Sequence, residues 1–265
     1  DDSVLADKIA QLIIWFSLKK KDLNEEDKSR LDSSLVEVYK RYGITFDNST
    51  IVDENGNFRT MPILSDWYEI LYQEQDTRHL AVVLSRYVTG SAAAMAGRND
   101  IELNNKYIVL DLSGMPDDMI ADGTFWATSI AYDLIMNCED ELSALLADEL
   151  WSLVGATANP QAAGFVLEMV KTIRGLGGIA VTSTQGMQDL FSLEGGSYGK
   201  GILDSSRIKL VMQMEEQEAR LIQDKLNLSE DEVRQITRFR RGEGLLCIGY
   251  NHVPIAFHTL SLIHI

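Results

Sequence analysis

Cysteine is scarce in this 265-residue chain, which has only Cys138 and Cys247. Neither belongs to a CxxC pair or to a Cys/His spacing of the kind that binds zinc, so the sequence gives no support to a zinc site. No apolar run reaches the roughly 18 residues needed to span a bilayer. The first residues also lack the basic-then-apolar order of a signal peptide. These absences favour a reduced, cytosolic setting.

Basic residues are outnumbered, because 24 Lys and Arg face 40 Asp and Glu and give a formal net charge of −16. Such a surface repels phosphate backbones on average, which argues against broad nonspecific nucleic-acid binding. Two basic clusters, at Lys19–Lys21 and at Arg238–Arg241, are either local patches or solvated helix ends. With 45% hydrophobic residues, the chain has enough apolar side chains for a large core.

Residues 1–103 are predicted to form an all-α domain, since apolar residues recur at the spacing of one helix face in four segments. Asn24 is placed to cap the second helix and Gly43 to end it. A polar loop closed by Pro62 follows, and Ser65 is placed to cap the third helix. Nothing in this part of the sequence indicates catalytic chemistry.

Residues 104–265 alternate short apolar runs with helical patterns, which is typical of a mainly parallel sheet flanked by helices, the α/β class. The last two runs are separated only by residues 251–253 and are predicted to form a hairpin. Ser229 and Glu232 have the spacing of a capping box and open a helix. The predicted strands are Tyr107–Leu112, Ala144–Ala147, Gly178–Ser183, Ile208–Met212, Leu245–Tyr250 and Pro254–Phe257.

The sharpest local motif is the Walker B pattern, in which an apolar strand runs directly into two carboxylates, Asp148 and Glu149. Ligands of open α/β sheets lie at the carboxyl ends of strands. A strand-end Asp can hold the Mg²⁺ of a nucleotide, directly or through water, and the next Glu can orient a water for attack on the γ-phosphate. The alternative is a buried strand that simply ends in acids.

The following predicted strand ends in Thr184 and Gln185. A polar amide beside a Walker B strand can sense the γ-phosphate or position the attacking water. Gln185 could equally cap the next helix or bond to the backbone. The sequence around it leaves both interpretations open.

Lys171 and Arg174 lie three residues apart on the helix between these two strands and project from the same side. In ring-shaped motors, a basic residue from one subunit often completes the site of the next and stabilises transition-state charge. Arg174 is the first candidate for that role and Lys171 the second. The alternative is an exposed helix C-terminus, where positive charge is favourable.

Residues 195–199 match G-x-S-x-G, the nucleophile elbow of serine hydrolases, with Ser197 as the nucleophile. That elbow requires a buried strand before the serine and a helix after it. The residues before Ser197 are instead typical of a polar helix or loop. A flexible Gly-rich loop is the favoured interpretation.

The sequence has no G-x-x-x-x-G-K-[ST] motif, and residues 199–201 lack both its spacing and its hydroxyl residue. Without such a P-loop, the β- and γ-phosphates have no cradle of backbone N–H groups. Either the chain is not a nucleotide enzyme, or it is a fragment.

Taken together, the order and spacing of these motifs resemble the ATPases that power conjugation and type IV secretion, the TraC/TraE-type (VirB-four-like) group of the FtsK–HerA superfamily. The resemblance extends over nearly the whole chain. Asp148–Trp151 reads Asp-Glu-Leu-Trp where the family usually has Asp-Glu-Ala-Trp, an apolar change. The matching stretches are Tyr107–Ser113, Leu145–Trp151, Lys171–Gly178, Thr182–Gln185, Tyr198–Ser206 and Arg241–Leu246.

The resemblance implies a partial RecA-like P-loop NTPase core over residues 104–265, with residues 1–103 as an all-α inserted domain. In this family the inserted domain follows the P-loop strand, so the P-loop would lie just before Asp1. The implied ligands are ATP and Mg²⁺, and the implied partners are a hexamer of copies, other secretion components at the inner membrane, and a DNA or protein substrate. The implied location is cytoplasmic and peripheral to the membrane.

The resemblance also implies roles for individual residues. Asp148 would assist Mg²⁺ binding, Glu149 would polarise the attacking water, and Thr184 would contribute to nucleotide binding. Gln185 would sense the γ-phosphate, and Arg174, with Lys171, would act across a subunit boundary. The alternatives to such a motor are a DNA-pumping, coupling-type ATPase, which needs a basic pore lining, a non-catalytic scaffold, and a serine hydrolase acting through Ser197. A chain without a P-loop is expected to bind ATP weakly or not at all.

Overall fold

The computed structural model describes residues 3–98, 103, 105–137, 142–148, 150–154 and 158–257. The chain divides into two compact units, Asp1–Ser129 and Ile130–Ile265. Each unit has its own buried core and is described separately below.

The first unit is built from helices, as predicted for its amphipathic segments. Large side chains from several of these helices are fully buried against one another, including Trp15, Phe16, Trp67 and Tyr87. Trp15 packs edge-on against Tyr87, with ring centroids 5.2 Å apart. Short 3₁₀ turns link the helices. The helices are α1 (Val4–Lys19), α2 (Glu25–Arg41), α3 (Leu64–Gln73), α4 (Arg78–Val88) and α5 (Ile120–Met136), the last of which continues into the second unit.

Both ends of α2 follow local sequence signals, whereas the start of α3 differs from its prediction. The Asn24 side chain accepts a hydrogen bond from the Asp27 amide at 2.7 Å and caps α2, and Gly43 follows the helix with φ +75°. The predicted Ser65 cap is wrong, because α3 already begins at Leu64. Asp66 instead accepts a hydrogen bond from the Ile63 amide at 2.7 Å and fixes that end.

A buried carboxylate joins α5 to the helices before it. Asp122 has no exposed surface. It accepts hydrogen bonds from the Trp15 indole at 3.1 Å and the Tyr87 hydroxyl at 2.7 Å, and it pairs with Lys19. These contacts place the first half of α5 in the helical unit. The division between the two compact units, after Ser129, falls within α5.

The second unit contains a parallel strand pair, β1 (Ala144–Ala147) and β2 (Ile179–Thr182), in which Ala144 lies opposite Ile179 and Ala147 opposite Thr182. The helix α7 (Pro160–Gly175) connects them. Its Ala162, Val166, Met169 and Ile173 are buried, as expected for the apolar face of a crossover helix. Asn159 caps the start of this helix, because its side chain accepts a hydrogen bond from the Gln161 amide at 2.7 Å.

The remaining described strands form an antiparallel sheet in the order β3-β4-β5. One face of this sheet packs on α10 and α11 around Val211, Ile222, Ile236 and Leu245, all buried. The capping box that opens α11 is present as predicted, since Ser229 and Glu232 hydrogen-bond reciprocally. The elements are β3 (Ile208–Val211), α10 (Glu216–Leu226), α11 (Glu230–Ile236), β4 (Glu243–Ile248) and β5 (Asn251–Ala256).

The predicted terminal hairpin is confirmed, but its turn lies earlier than expected. Residues 251–253 belong to β5, and the connection is Gly249-Tyr250, with Gly249 at φ +61°. A two-residue turn with a left-handed glycine suits the twist of paired antiparallel strands. Among the described strands, one pair is parallel and two are antiparallel, so the mainly parallel arrangement is seen only at β1 and β2.

The predicted strand at Tyr107–Leu112 is wrong for this structure. The segment follows an irregular path with no strand partner among the described residues, and Tyr107 and Val109 are 85% and 68% exposed. Apolar alternation marks a segment that could pair, but a strand forms only where another backbone offers its hydrogen-bonding edge.

Candidate functional site

Asp148 and Ser183 meet at the carboxyl edge of the parallel pair. Asp148 directly follows β1 and Ser183 directly follows β2, and the Ser183 amide donates to the Ala147 carbonyl at 3.0 Å. The Ser183 hydroxyl donates a hydrogen bond to the Asp148 carboxylate. Both side chains are exposed, so the carboxylate is oriented by a neighbour yet open to a ligand. This is the edge at which sheets of this kind bind ligands.

Ser183 is a candidate site residue that the sequence analysis did not select. Its hydroxyl contacts a carboxylate 35 residues earlier in the chain, and that contact exists only because β1 and β2 pair in parallel. The sequence did contain a signal that could have identified Ser183 as a site residue, namely its position directly after an apolar strand and beside Thr184.

Thr184 and Gln185 follow in a tight loop between β2 and α8 (Met187–Leu190). The Thr184 hydroxyl donates to the Gly186 carbonyl at 3.3 Å and so bends the loop, while Gln185 is exposed. Thr184 also lines a small pocket of about 30 Å³, which accommodates water and is far too small for a nucleotide. The other lining residues are Leu150, Val154, Thr182, Ser183, Leu190 and Ile202.

Glu149, the second acid of the Walker B pattern, lies outside the described residues. Its predicted role therefore stays a prediction from sequence. The short helix α6 (Trp151–Val154) begins soon after it, with Leu150 and Leu153 buried.

The donor set at this edge fits magnesium. Mg²⁺ is usually held by one or two carboxylates together with water and phosphate oxygens, and Asp148 supplies one oriented carboxylate beside a hydroxyl. Among the described residues, no three Asp, Glu, His or Cys side chains are grouped so as to hold a metal ion alone. Within the described residues, this edge offers no row of glycine amides for a triphosphate, so these residues fit the metal side of a nucleotide site and not its phosphate cradle.

Arg174 lies at the other end of the parallel pair. The last turn of α7 contacts the start of β2, where the Gly178 amide donates to the Ile173 carbonyl at 2.9 Å. The Arg174 guanidinium donates to the Ser205 carbonyl at 3.4 Å, at the end of α9 (Ser197–Ser205). Arg174 and Lys171 are both exposed. Since β2 rises roughly 10 Å from its first to its last residue, Arg174, which lies near the start of β2, is not beside Asp148 of the same chain.

Ser197 does not have the surroundings of a catalytic serine. A 3₁₀ turn, Leu193–Gly196, precedes it, and the nucleophile elbow requires a strand there. Glu194, Gly195 and Gly196 all have positive φ, which makes this a glycine-dependent turn into α9. His252 is engaged elsewhere, 2.8 Å from Glu232, and His258 and His264 lie outside the described residues.

The fold of this chain matches a solved structure. VirB4 of Thermoanaerobacter pseudethanolicus superposes with a TM-score of 0.87 at 30% sequence identity, over 98% of this chain and 71% of that one. The chain belongs to the VirB4 family. This confirms the resemblance to type IV secretion ATPases drawn from the motifs. No protein-family model matches the sequence, and no curated protein matches it.

As a VirB4 family member, the chain is part of a type IV secretion system ATPase. The solved VirB4 chain is longer than this one, and 71% of it is covered by the match. In the part of the chain that the structure describes, every helix is too short or too polar to cross a lipid bilayer.

Proposed function

We propose that this chain is the ATP-hydrolysing motor module of a conjugative DNA-transfer, type IV secretion machine, where it energises assembly or substrate translocation. The observation that carries the proposal is the oriented Asp148 carboxylate at the carboxyl edge of a parallel strand pair, in a chain of the VirB4 family. The RecA-like form of the core and its place in the FtsK–HerA superfamily belong to the same proposal.

The chemistry is in-line attack of water on the γ-phosphate of ATP. Mg²⁺, when bound, neutralises charge on the phosphate oxygens. Asp148 holds the metal, directly or through water, and Ser183 orients the carboxylate through its hydroxyl. Glu149 orients and polarises the attacking water. Thr184 and Gln185 face the nucleotide from the next strand, with Gln185 as the γ-phosphate sensor.

Arg174 stabilises transition-state charge in the nucleotide site of a neighbouring copy, and Lys171 contributes to the same role. Its position at the opposite end of β2 from Gln185 is the reason to propose this, because an arginine there serves the site of another subunit more readily than its own. The assembly is a hexamer on the cytoplasmic face of the inner membrane, in contact with other secretion components and with a DNA or protein substrate.

The test mixes two inactive variants, in the protein that joins this chain to a P-loop. Asp148→Asn and Arg174→Ala are each expected to lower ATP turnover by about 10³-fold or more, since metal and arginine contributions to phosphoryl transfer are of that order. In an equimolar mixture, an Arg174→Ala subunit receives Arg174 from an Asp148→Asn neighbour. Part of the wild-type turnover should therefore return.

The matched control contains Asp148→Asn alone at the same total protein concentration as the mixture. Its ATP turnover should stay at the low level of the single variant. Normal hydrolysis by Asp148→Asn alone would contradict the metal-binding role. A mixture as inactive as its components would contradict the assignment of Arg174 to a neighbouring site. Absence of hydrolysis in the wild-type protein would indicate a non-catalytic scaffold.

A further inference from the structure

The loop that carries Gln185 leads directly into α8, and α8 is held by α10. The first amide of α8, that of Met187, is among the helix-start donors that have no partner within the helix. It donates a hydrogen bond to the Glu218 carboxylate on α10 at 3.3 Å. Glu218 comes 31 residues later in the chain and is half-buried, so the contact is tertiary.

Two further contacts connect the same segments. Met187 and Phe191 pack against the buried cluster that α10 and α11 form with β3 and β4. The Lys225 ammonium, also on α10, lies over the Phe191 ring at 4.5 Å from its centroid. Both ends of α8 are thus fixed to α10, and the Gln185 loop is the short connection between this fixed helix and β2.

We infer that Glu218 is a positioning residue, which holds the Met187 amide and through it sets where the Gln185 side chain stands relative to Asp148. The inference builds on the proposed function, since it assigns to Glu218 an effect on the residue proposed to sense the γ-phosphate. Only Gly186 separates Gln185 from Met187, whose amide is tethered. Release of that amide therefore lets the loop move, and small displacements of catalytic groups reduce turnover strongly.

The first measurement is amide hydrogen exchange at Met187 and its neighbours in this chain, which requires no ATPase activity. Glu218→Ala should speed exchange at Met187 about tenfold, because a hydrogen bond to a charged acceptor is lost. Glu218→Gln keeps an acceptor oxygen at the same place and should stay near wild type. Glu216→Ala is the control, since it removes the same charge from the exposed face of α10, where Glu216 pairs with Arg220.

The second measurement is steady-state ATP hydrolysis in the protein that includes a P-loop. Glu218→Ala should lower kcat by up to about a hundredfold with little change in KM, because Gln185 acts on the γ-phosphate during turnover and not on nucleotide capture. Rescue by Glu218→Gln distinguishes positioning from a general loss of folded protein.

Unchanged Met187 exchange in Glu218→Ala would overturn the inference, and so would faster exchange with normal kcat. An equal loss of kcat in Glu216→Ala would overturn it too. That result would show that the effect comes from the loss of one negative charge on α10 and not from release of the Met187 amide. If the wild-type protein does not hydrolyse ATP, the proposed function fails by itself, and the exchange comparison still decides whether Glu218 holds the loop.

Discussion

Asp122 shows what one buried residue contributes to the helical unit. Its carboxylate is fully buried and is satisfied by Trp15, Tyr87 and Lys19 together. Burial comes first among the causes that raise the pKa of Tyr87, and the hydrogen bond to Asp122 adds to it. The hydroxyl therefore remains a donor throughout the ordinary pH range. A charge buried this deeply stabilises the fold only while its partners remain.

We expect Asp122→Ala to lower the free energy of unfolding by about 3–5 kcal/mol, because removal of one member of a buried pair leaves Lys19 uncompensated. The two aromatic donors bond to different oxygens of Asp122, so Asp122→Asn retains an acceptor for only one of them. It should still cost less than Asp122→Ala. Urea unfolding followed by tryptophan fluorescence measures both.

The control for this prediction is Asp118→Ala, which breaks an ion pair with Arg86 in which both side chains are largely exposed. An exposed pair contributes little in water, so its loss should leave the midpoint nearly unchanged. Equal midpoints for Asp122→Ala and the wild type would contradict the role of Asp122.

At the scale of the element, α11 is tied to the terminal hairpin through its capping box. Glu232 accepts hydrogen bonds from the Ser229 amide and hydroxyl and lies 2.8 Å from the His252 ring. Burial by itself raises the pKa of the Glu232 carboxyl, but the hydrogen bonds from Ser229 and His252 outweigh it and hold the pKa below the ordinary value.

A carboxyl whose pKa is depressed by folding stabilises the protein above its unfolded pKa, near 4.5, and loses that contribution as the pH falls through the folded value. We therefore expect the stability of the wild type to fall more steeply below about pH 4.5 than that of Glu232→Gln. Urea midpoints recorded between pH 3 and 7 test this, and parallel pH profiles for the two proteins would contradict it. Ser229→Ala, which removes the cap, should cost about 1 kcal/mol near pH 7.

The helix caps could be predicted from the sequence, whereas contacts between distant segments could not. Capping at Asn24 and at Ser229 depends on residues three apart, so the pattern alone predicted it correctly. The apolar run at Tyr107–Leu112 has a local pattern as clear as that of β1, but strand formation depends on a partner distant in sequence. The Asp148–Ser183 contact also depends on segments distant in sequence, because it forms only when β1 pairs with β2. The sequence analysis therefore selected Asp148 but not the Ser183 hydroxyl that orients it.

At the scale of the whole molecule, the chain consists of a helical unit and a unit that carries the parallel edge with Asp148. The chain belongs to the VirB4 family of type IV secretion proteins, and this edge is the site that we propose for nucleotide chemistry in it. Asp148 and Ser183 stand at one end of the parallel strands, and Arg174 stands at the other. A separation of this kind suits an assembly in which copies complete each other's sites.

The most direct test of the ATPase motor is steady-state hydrolysis and ATP binding by the P-loop-containing protein and its Glu149→Gln variant. The exchange keeps the size of the side chain and removes the carboxylate that we propose orients the attacking water. We expect turnover to fall by about 10²- to 10⁴-fold, the usual contribution of a catalytic base, while ATP–Mg²⁺ binding is retained. Unchanged hydrolysis in Glu149→Gln, or none in either protein, would contradict the account and leave a scaffold that has the fold of a motor without its chemistry.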